Sequence, residues 1–322
     1  MKIHAMTLIK NESDVIAQCL TAAAGWCDHI YVFDNGSVDG TWEIVKELAR
    51  KHPQIIPFKQ EDKPFTDALR AEIFNAYRHL SKDGDWWVRL DADEFYIGNP
   101  REFIERIPAR YNVAWSATIT YVFTDRDAER YRAGEASYGD DIPVREKCRY
   151  YLNDWAEPRF FRYSERLTWE PHDGGSPRRT WRTWDYRHRI PVQHFPYRSP
   201  QQIEKRARTC RPAIERGAFL HEAIPDWGSA VSRLRADKVR SLDVSQAAPQ
   251  YAARSWEDRI VAAAGVDFDG HDGQFTFNEY LMPPIPRRRS VARAAAGRIK
   301  ARMRSTRSGS ELSSPGRPDL TA

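Results

Sequence analysis

The sequence predicts an α/β fold in which a mostly parallel central sheet is flanked by helices. In the first hundred residues, short apolar runs alternate with stretches whose apolar residues recur at helical spacing. The connections between them are short and rich in Asp, Asn and Gly, which favour turns. Repeated strand–helix–strand units of this kind form parallel sheets that are covered on both faces.

Four strands and three helices are predicted before residue 95. The strands are short apolar or aromatic runs at residues 3–9, 29–33, 55–58 and 86–90. The helices have one apolar stripe each and occupy residues 12–24, 41–51 and 66–80. Asp39 is placed to cap the second helix.

The pattern changes after residue 95. Residues 113–123 are a long β-prone stretch, and residues 125–149 are polar and indicate a surface excursion. Residues 150–197 are dense in aromatic residues and Arg and predict short strands. A helix is predicted over residues 199–216, and a weaker helical pattern covers residues 226–262.

The charge of the chain is unevenly distributed. The net charge is +5, but residues 287–322 hold nine Arg and Lys300 against Glu311 and Asp319. This tail has a net charge of +8, so the rest of the chain has a net charge of −3. Because the body is mildly acidic, we expect no nucleic-acid partner for it.

The cysteine pattern and the apolar runs indicate a cytoplasmic chain. The four cysteines form no C-x-x-C pair, which fits neither a zinc ribbon nor a disulfide scaffold. The first apolar stretch stops at Lys10, which is too short for a signal peptide. No apolar run reaches the about 18 residues that a membrane-spanning helix needs.

Three polar clusters follow predicted strands, at residues 10–12, 34–39 and 91–94. In open parallel sheets, ligands bind beyond the carboxyl ends of the strands. We therefore expect these clusters to converge on one edge of the sheet.

Asp91 and Asp93 stand two residues apart at the end of an apolar strand. Carboxylates at this spacing can hold Mg²⁺ or Mn²⁺, which prefer oxygen ligands and retain waters and phosphate oxygens. A solvated acidic turn is the alternative interpretation, since the pattern is short.

Three motifs together resemble the family 2 glycosyltransferases. They are residues 6–12 (MTLIKNE), residues 32–41 (VFDNGSVDGT) and residues 89–95 (RLDADEF). The closest branch is a bacterial one with an LDxDEF strand end. The resemblance covers about residues 1–125 and implies the GT-A fold, a nucleotide-diphosphate sugar as donor, and a divalent cation, Mn²⁺ or Mg²⁺.

The resemblance also implies roles for individual residues. Asp34 would read the nucleotide base, with Asp39 closing that loop. Thr7 and Glu12 would flank the base and ribose, and Asn11 and Ser37 belong to the same donor-binding motifs. Asp93 would be the direct metal ligand, Asp91 would lie nearer the ribose or the metal waters, and His194 would complete the metal site. Asn35 departs from the family, since many members have a second Asp there.

The residues themselves leave blander roles open at several of these positions. Asp34 and Asp39 are equally suited to turn and helix-capping duty. Glu12 also suits the first turn of a helix, where a carboxylate is favourable.

The second half of the chain offers candidates for acceptor chemistry. An inverting transfer needs a base for the acceptor hydroxyl, and the family's usual "ED" pair is not evident. The candidate bases are Asp154, Glu157, Glu170 and Asp173, and the loop at residues 169–175, which supplies Glu170 and Asp173, is the favoured source. Four tryptophans could stack on sugar rings or fill the core: Trp155, Trp169, Trp181 and Trp184. Three arginines could pair with diphosphate oxygens: Arg159, Arg162 and Arg198.

The leading hypothesis is a metal-dependent, inverting transfer of a sugar from a UDP- or GDP-linked donor to a hydroxyl of a glycan or glycolipid. The competing hypotheses are a nucleotidyltransferase, whose expected glycine-rich loop is absent from residues 7–14, and a non-catalytic module with a basic tail. The tail fits peripheral contact with the inner face of an anionic membrane, a solvated disordered segment, or a nucleic-acid arm.

These hypotheses divide the chain into four segments. Residues 1–125 would form the nucleotide-sugar half, and residues 126–225 the acceptor half of the same domain. Residues 226–282 would form a helical C-terminal extension, followed by the basic tail of residues 283–322.

Overall fold

The computed structural model describes residues 1–148, 150–178, 184–217, 226–233 and 260–262. All of them belong to one unit of the fold, which comprises residues 1–178 and 184–285. The helix predicted over residues 226–262 falls mostly outside the described residues. The basic tail of residues 283–322 falls wholly outside them.

Strands and helices alternate along the described residues. The strands are β1 (Ile3–Ile9), β2 (His29–Asp34), β3 (Ile55–Gln60), β4 (Trp86–Asp91), β5 (Glu94–Tyr96), β6 (Val113–Val122), β7 (Tyr150–Arg162), β8 (Asp185–Tyr197) and β9 (Ile260–Ala262). The helices are α1 (Ile16–Ala24), α2 (Thr41–Lys51), α3 (Arg70–Tyr77), α4 (Pro100–Glu105), α5 (Asp125–Arg132), α6 (Val144–Lys147), α7 (Pro200–Glu215) and α8 (Trp227–Arg233).

The strands form one sheet in the order β3-β2-β1-β4-β7-β6-β8-β5, with β9 paired to β7. β3, β2, β1 and β4 run parallel to one another, as do β6 and β8. Antiparallel pairing of β7 with β4 and β6, and of β5 with β8, joins the second half of the chain to the first. The predicted α/β fold with a mostly parallel central sheet is confirmed.

Both faces of the parallel strands are buried, which explains their nearly continuous apolar sequences. Successive strand residues point to opposite faces. Trp86 accordingly packs on the face covered by α1 and α2, whereas Trp87 packs on the face covered by α3. On that second face, the rings of Trp87 and Phe74 meet edge to face at 5.0 Å.

Helix positions differ from the prediction where polar residues intervene. The first helix begins at Ile16 rather than at residue 12, because residues 12–15 form a turn. The backbone N–H groups of Val15 and Ile16 both donate to the carbonyl of Glu12 in this turn. The polar stretch of residues 125–149 contains two helices, α5 and α6. The first of them is set by a reciprocal capping box between Thr124 and Asp127.

The aromatic second half forms two long strands, β7 and β8, rather than several short ones. Each can be long because it pairs with β6 over most of its length. Sequence patterning missed the short strand β5 and the helix α4. The helix had a readable signal: Asn99 caps it and Pro100 occupies its first turn.

A column of stacked rings crosses β1, β2 and β4 on the α3 face. The ring of His4 lies 4.9 Å from that of His29 and 4.8 Å from that of Trp87. The Nδ1 atom of His4 lies 3.2 Å from the hydroxyl of Tyr31, while Nε2 is buried without a hydrogen-bond partner. Burial, together with the neighbouring His29, lowers the pKa of His4 to about 4.

This column predicts acid sensitivity of the fold. The unfolded chain binds a proton at His4 near pH 6.5, but the folded chain does so only near pH 4. Stability is therefore lost as the pH falls through this window, by up to about 3 kcal/mol. His4→Phe, which keeps a ring in the stack, should flatten this part of the stability profile in urea unfolding between pH 7 and pH 4. The exposed-site control His79→Gln should keep the wild-type profile, and an unchanged slope in His4→Phe would contradict the assignment.

Candidate active site

The carboxyl ends of β1, β2 and β4 meet at one edge of the sheet. Ile9 at the end of β1 is the register partner of Asp34 at the end of β2. On the other side of β1, Leu8 is the partner of Asp91 at the end of β4. The predicted convergence of the three polar clusters on one edge is confirmed.

The loops after β1 and β2 are joined through Asn11 and Ser37. The Asn11 backbone N–H donates to the Ser37 hydroxyl over 2.8 Å, and the Asn11 side-chain oxygen accepts from Val38 N–H over 2.9 Å. Asn11 has a left-handed backbone with φ of 58°, which Asn tolerates better than most residues. Gly36 is required nearby because its φ is 80° and a Cβ there would lie 2.6 Å from that of Asp62.

A cavity of about 610 Å³ opens at this edge. Its size is typical of a site for a small organic ligand or cofactor. One wall comes from the end of β1 and the loop after β3, a second from the Asp91–Asp93 turn with His194, and a third from α7. The lining residues on the sheet side are Leu8, Lys10, Asn11, Glu12, Asp62, Lys63, Pro64, Phe65, Asp67, Arg70, Asp91, Ala92, Asp93 and His194.

Asp93 and His194 form a pair at the cavity wall. Glu94 on β5 is the register partner of His194 on β8, which brings the histidine beside the turn that carries Asp93. The distance from His194 Nε2 to Asp93 Oδ2 is 3.5 Å. The Asp93 side chain is nearly buried, and that of His194 is about a quarter exposed, at 26%.

The two groups of this pair stabilise each other's charged forms. Burial disfavours the Asp93 carboxylate, but the adjacent His194 outweighs burial and lowers the pKa of Asp93 to about 2. Burial likewise opposes a charge on His194, but Asp93 outweighs it and raises the pKa of His194 to about 9. Both residues line the cavity as an ion pair.

Asp91 also lines the cavity, but both of its oxygens are engaged. Arg159 Nη1 donates to Asp91 Oδ2 over 2.9 Å, and Arg70 donates to the other oxygen. Burial disfavours the charged form of Asp91, yet these arginines hold its pKa well below the usual range. Asp91 therefore has less free coordinating capacity than Asp93, in line with its expected place near the ribose.

Glu12 faces the cavity from the β1–α1 turn and is paired to the buried Arg198. The Arg198 guanidinium also binds Asp14 through two hydrogen bonds of 2.7 and 2.8 Å and donates to the carbonyl of Phe195. Its Nη1 atom lies 3.9 Å from Asp93 Oδ2. A single guanidinium thus connects the β1–α1 turn to the end of β8 and approaches the carboxylate of Asp93.

Asp39 has a structural role in this arrangement. Its carboxylate accepts from the backbone N–H groups of Thr41 and Ser13, at 3.1 and 3.2 Å, and from Lys205 of α7 at 2.9 Å. Burial opposes ionisation, but the hydrogen bonds from Thr41 and Lys205 lower the pKa of Asp39 to about 2. Asp39 lies outside the cavity lining and secures both α2 and α7.

Thr7 and Asp34 are fully buried and do not line the cavity, and each has one side-chain oxygen without a hydrogen-bond partner. Asp34 Oδ1 accepts from Ser37 N–H over 2.6 Å, whereas Asp34 Oδ2 and Thr7 Oγ1 have no hydrogen-bond partner. Buried polar atoms are normally paired. The hydroxyl of Thr7 and one carboxylate oxygen of Asp34 can therefore each form a further hydrogen bond.

Glu170 and Asp173 bond to each other's backbone. Asp173 Oδ2 accepts from Glu170 N–H over 2.9 Å, and the Glu170 side chain accepts from Asp173 N–H in return. Neither residue lines the cavity. Their loop reaches its rim at Gly175, where a Cβ would lie 2.9 Å from that of the cavity-lining Asp67.

The expectation that three arginines pair with diphosphate oxygens is wrong. Arg159 and Arg198 are buried, with 2% and 0% exposure, and are already paired with carboxylates of the protein. Arg162 donates to the carbonyl groups of Tyr111 and Ile107 and lies over the Trp86 ring. Arg159 and Arg198 already form ion pairs with buried carboxylates at the end of the sheet.

The four tryptophans named as candidates for sugar stacking or core packing differ in burial. Trp169 is fully buried in the core on the α3 face, and Trp184 is 44% exposed. The Trp155 side chain and Trp181 lie outside the described part of the structure.

Sequence analysis missed the cavity wall formed by α7. The residues that line it are Gln202, Lys205, Arg206, Thr209, Cys210, Pro212, Ala213 and Arg216. Most of these positions recur at helical spacing, so the signal was present. Asn11 donates to Thr209 over 3.0 Å and ties this wall to the end of β1.

Residues 6–174 match the sequence profile of Glycosyl transferase family 2. The chain belongs to this family of enzymes. No curated protein is significantly similar to the chain.

Two solved structures illustrate the likeness. A mannosyltransferase from Pyrobaculum calidifontis in complex with GDP-Man and Mn²⁺ is 18% identical, with 41% of this chain and 37% of that chain covered and a TM-score of 0.28. S. aureus TarS in complex with UDP is 14% identical, with 38% and 36% covered and a TM-score of 0.27. The match thus spans just over a third of the length of each of these family relatives.

The Arg198 connection predicts a large stability effect. Arg198→Met would remove the guanidinium from the buried carboxylates of Asp14 and Glu12 and leave Asp14 with Lys205 at 3.3 Å, so unfolding in urea should cost about 3–5 kcal/mol less. Arg208→Met on the same helix is the matched control. Arg208 is 67% exposed and, among the described residues, pairs with Glu204, so its loss should change stability by less than about 0.5 kcal/mol. Equal effects of the two substitutions would contradict the connecting role of Arg198.

Proposed function

We propose that this family 2 glycosyltransferase moves a sugar from a nucleotide-diphosphate donor to a hydroxyl of a glycan or glycolipid, with a divalent cation at Asp93 and His194. The observation that supports this most directly is the pair itself. An imidazole nitrogen and a carboxylate oxygen, 3.5 Å apart, face a cavity at the carboxyl edge of the parallel strands.

The chemistry of this pair fits Mn²⁺ or Mg²⁺. These ions are bound by few protein groups and keep positions for water and phosphate oxygens. An imidazole ligand favours Mn²⁺ over Mg²⁺, which prefers oxygen. When bound, such a cation supplies positive charge that stabilises a leaving nucleotide diphosphate.

The nucleotide lies, in this proposal, along the ends of β1 and β2. Asn11 and Glu12 line the cavity, whereas the unpaired oxygens of Thr7 and Asp34 are buried and do not line it. Contact of these two oxygens with the N–H groups of uracil or guanine, or with the ribose hydroxyls, stays a prediction. Asp91 serves the ribose side, while Ser37 and Asp39 hold the loops in place.

Cations on both sides of the cavity complement the diphosphate. Lys10 and Lys63 line the sheet side, and Lys205, Arg206 and Arg216 line the α7 side. The three lysines pair with Asp62, Glu72 and Asp39, but unlike Arg159 and Arg198 their side chains stay partly exposed. In the partly enclosed cavity, these charges lower the free energy of an anionic donor more than they would in open water. Its dimensions leave room for the sugar next to Asp93.

The acceptor is activated by a carboxylate base with inversion at the anomeric carbon, which is the family expectation. The prediction that Glu170 or Asp173 is this base stays a prediction. Their loop lies at the rim of the cavity, and the exposed Glu170 is the one of the two that an acceptor can reach. Both side chains accept a backbone hydrogen bond within their capping box, but the Asp173 side chain is only 10% exposed.

No helix among the described residues is long and apolar enough to cross a membrane. Peripheral contact of the enzyme with a membrane through the basic tail stays a prediction, because residues 283–322 lie outside the described part of the chain.

Donor binding predicts a thermal shift that depends on Asp93. Mn²⁺ together with UDP or GDP should raise the melting temperature, since a ligand at about 100 times its Kd stabilises the folded chain by about 2.7 kcal/mol. Asp93→Asn should remove this shift, because an amide binds the cation far more weakly. The exposed control Asp140→Asn should keep it. A shift of wild-type size in Asp93→Asn would rule out the proposed cation site.

The base assignment predicts a separation of binding from turnover. Glu170→Gln should leave the thermal shift with Mn²⁺ and nucleotide unchanged, since Glu170 does not line the cavity. Release of nucleotide diphosphate in the presence of acceptor should fall by about 10²–10⁴-fold. Asp173→Asn is the companion variant, and retention of full turnover in both would exclude this loop as the source of the base.

A further inference from the structure

Three carboxylates converge beneath the cavity from separate strands. Asp91 ends β4, Glu94 belongs to β5 and Glu157 to β7, and each offers an oxygen within 4.8 Å of the others. Three acidic groups at such distances repel one another strongly unless a cation lies among them. The arrangement has the composition of a metal site for an ion that prefers oxygen.

A guanidinium group already lies among these carboxylates. Arg159 on β7 donates to Asp91 over 2.9 Å, contacts a Glu157 oxygen at 2.6 Å, and donates to Glu94. Its side chain is 3% exposed, so no water layer separates these charges. Arg159 thus touches all three members of the cluster.

Two further arginines pair with carboxylates of this cluster. Arg70 binds the second oxygen of Asp91 and also pairs with Asp67. Arg89 donates to the second oxygen of Glu157 over 3.1 Å. Both oxygens of Asp91 are therefore held by guanidinium groups, while its side chain stays 31% exposed to the cavity.

We propose that Arg159 is a built-in cation. Its guanidinium occupies the place among Asp91, Glu94 and Glu157 where a metal would otherwise bind. Together with Arg70, it positions Asp91 at the cavity wall. The proposal rests on the proposed function only for the use of Asp91 by the donor. It divides the acidic motif into two parts. Asp93 faces an exchangeable cation, and Asp91 faces a permanent one.

The physical reason for this division is competition. A divalent cation at Asp91 would have to displace two buried guanidinium groups from its oxygens, which is costly. Within the described part of the chain, Asp93 has no guanidinium this close, since His194 lies 3.5 Å and Arg198 3.9 Å from its Oδ2 atom. Arg159 is accordingly a positioning residue, which acts on the donor through Asp91.

Removal of the guanidinium is the direct test. Arg159→Gln leaves three carboxylates around a neutral side chain, so we expect the variant to bind one more equivalent of Mn²⁺ than the wild type in a titration followed by electron paramagnetic resonance. Its melting temperature should also rise more on addition of Mn²⁺ alone. Arg162→Gln on the same strand is the matched control, because Arg162 contacts only backbone carbonyls and the Trp86 ring in the part of the chain that is described. It should keep the wild-type stoichiometry.

The folding of Arg159→Gln is part of the test. If the variant folds only in the presence of Mn²⁺, the cation has replaced the guanidinium, as proposed. If it folds in neither condition, or folds and binds no additional Mn²⁺, the proposal is overturned. A wild-type chain that binds neither Mn²⁺ nor UDP or GDP would refute the proposed function, but the gain of a site in Arg159→Gln would still be readable.

A second variant tests the division between the two aspartates. Asp91→Asn should keep the Mn²⁺ affinity of the wild type within about threefold, yet weaken UDP or GDP binding about tenfold, a loss of about 1.4 kcal/mol. Loss of Mn²⁺ binding in Asp91→Asn would make Asp91 a direct ligand and overturn the proposal.

Discussion

The pairing of buried carboxylates with buried guanidinium groups is the interaction on which the rest of the structure depends. Parallel strands deliver their ends to one edge, and in this chain those ends carry Asp91, Asp93 and Glu94. Such a concentration of negative charge would oppose folding if it were left unpaired. Arg159 and Arg198, both buried, offset it from the second half of the chain. These pairs stabilise the sheet edge, and the edge still presents charged groups to a ligand.

Arg159 and Arg198 pair with different sets of carboxylates. Arg159 serves the carboxylates under the floor of the cavity, and Arg198 serves the turn between β1 and α1. Asp93 lies between them, 3.9 Å from Arg198 and 3.5 Å from His194. Among the described contacts, Asp93 is the carboxylate of the motif that pairs with an imidazole rather than with a close guanidinium group. This distribution of charge supports the place that we propose for an exchangeable cation.

The parts of the site that were predictable are those set by local pattern. Apolar runs predicted the parallel strands, and polar residues after each run predicted their convergence, because strand direction fixes where the ends lie. Asp91 and Asp93 were identified by their place after β4. The partners of these residues were not predictable, because Arg159 meets Asp91 across 68 positions of the chain through antiparallel pairing, which no local pattern encodes. For the same reason Arg159 and Arg198 were expected to meet a ligand, when in fact they meet the protein itself.

The tie between Asn11 and Thr209 joins positions 198 residues apart. The strands at the start of the chain can pair while the ribosome is still making the remainder, but the third wall of the cavity does not exist until the helix beyond residue 200 has emerged. The enclosed cavity is therefore a property of the chain only once both ends of its described part are in place.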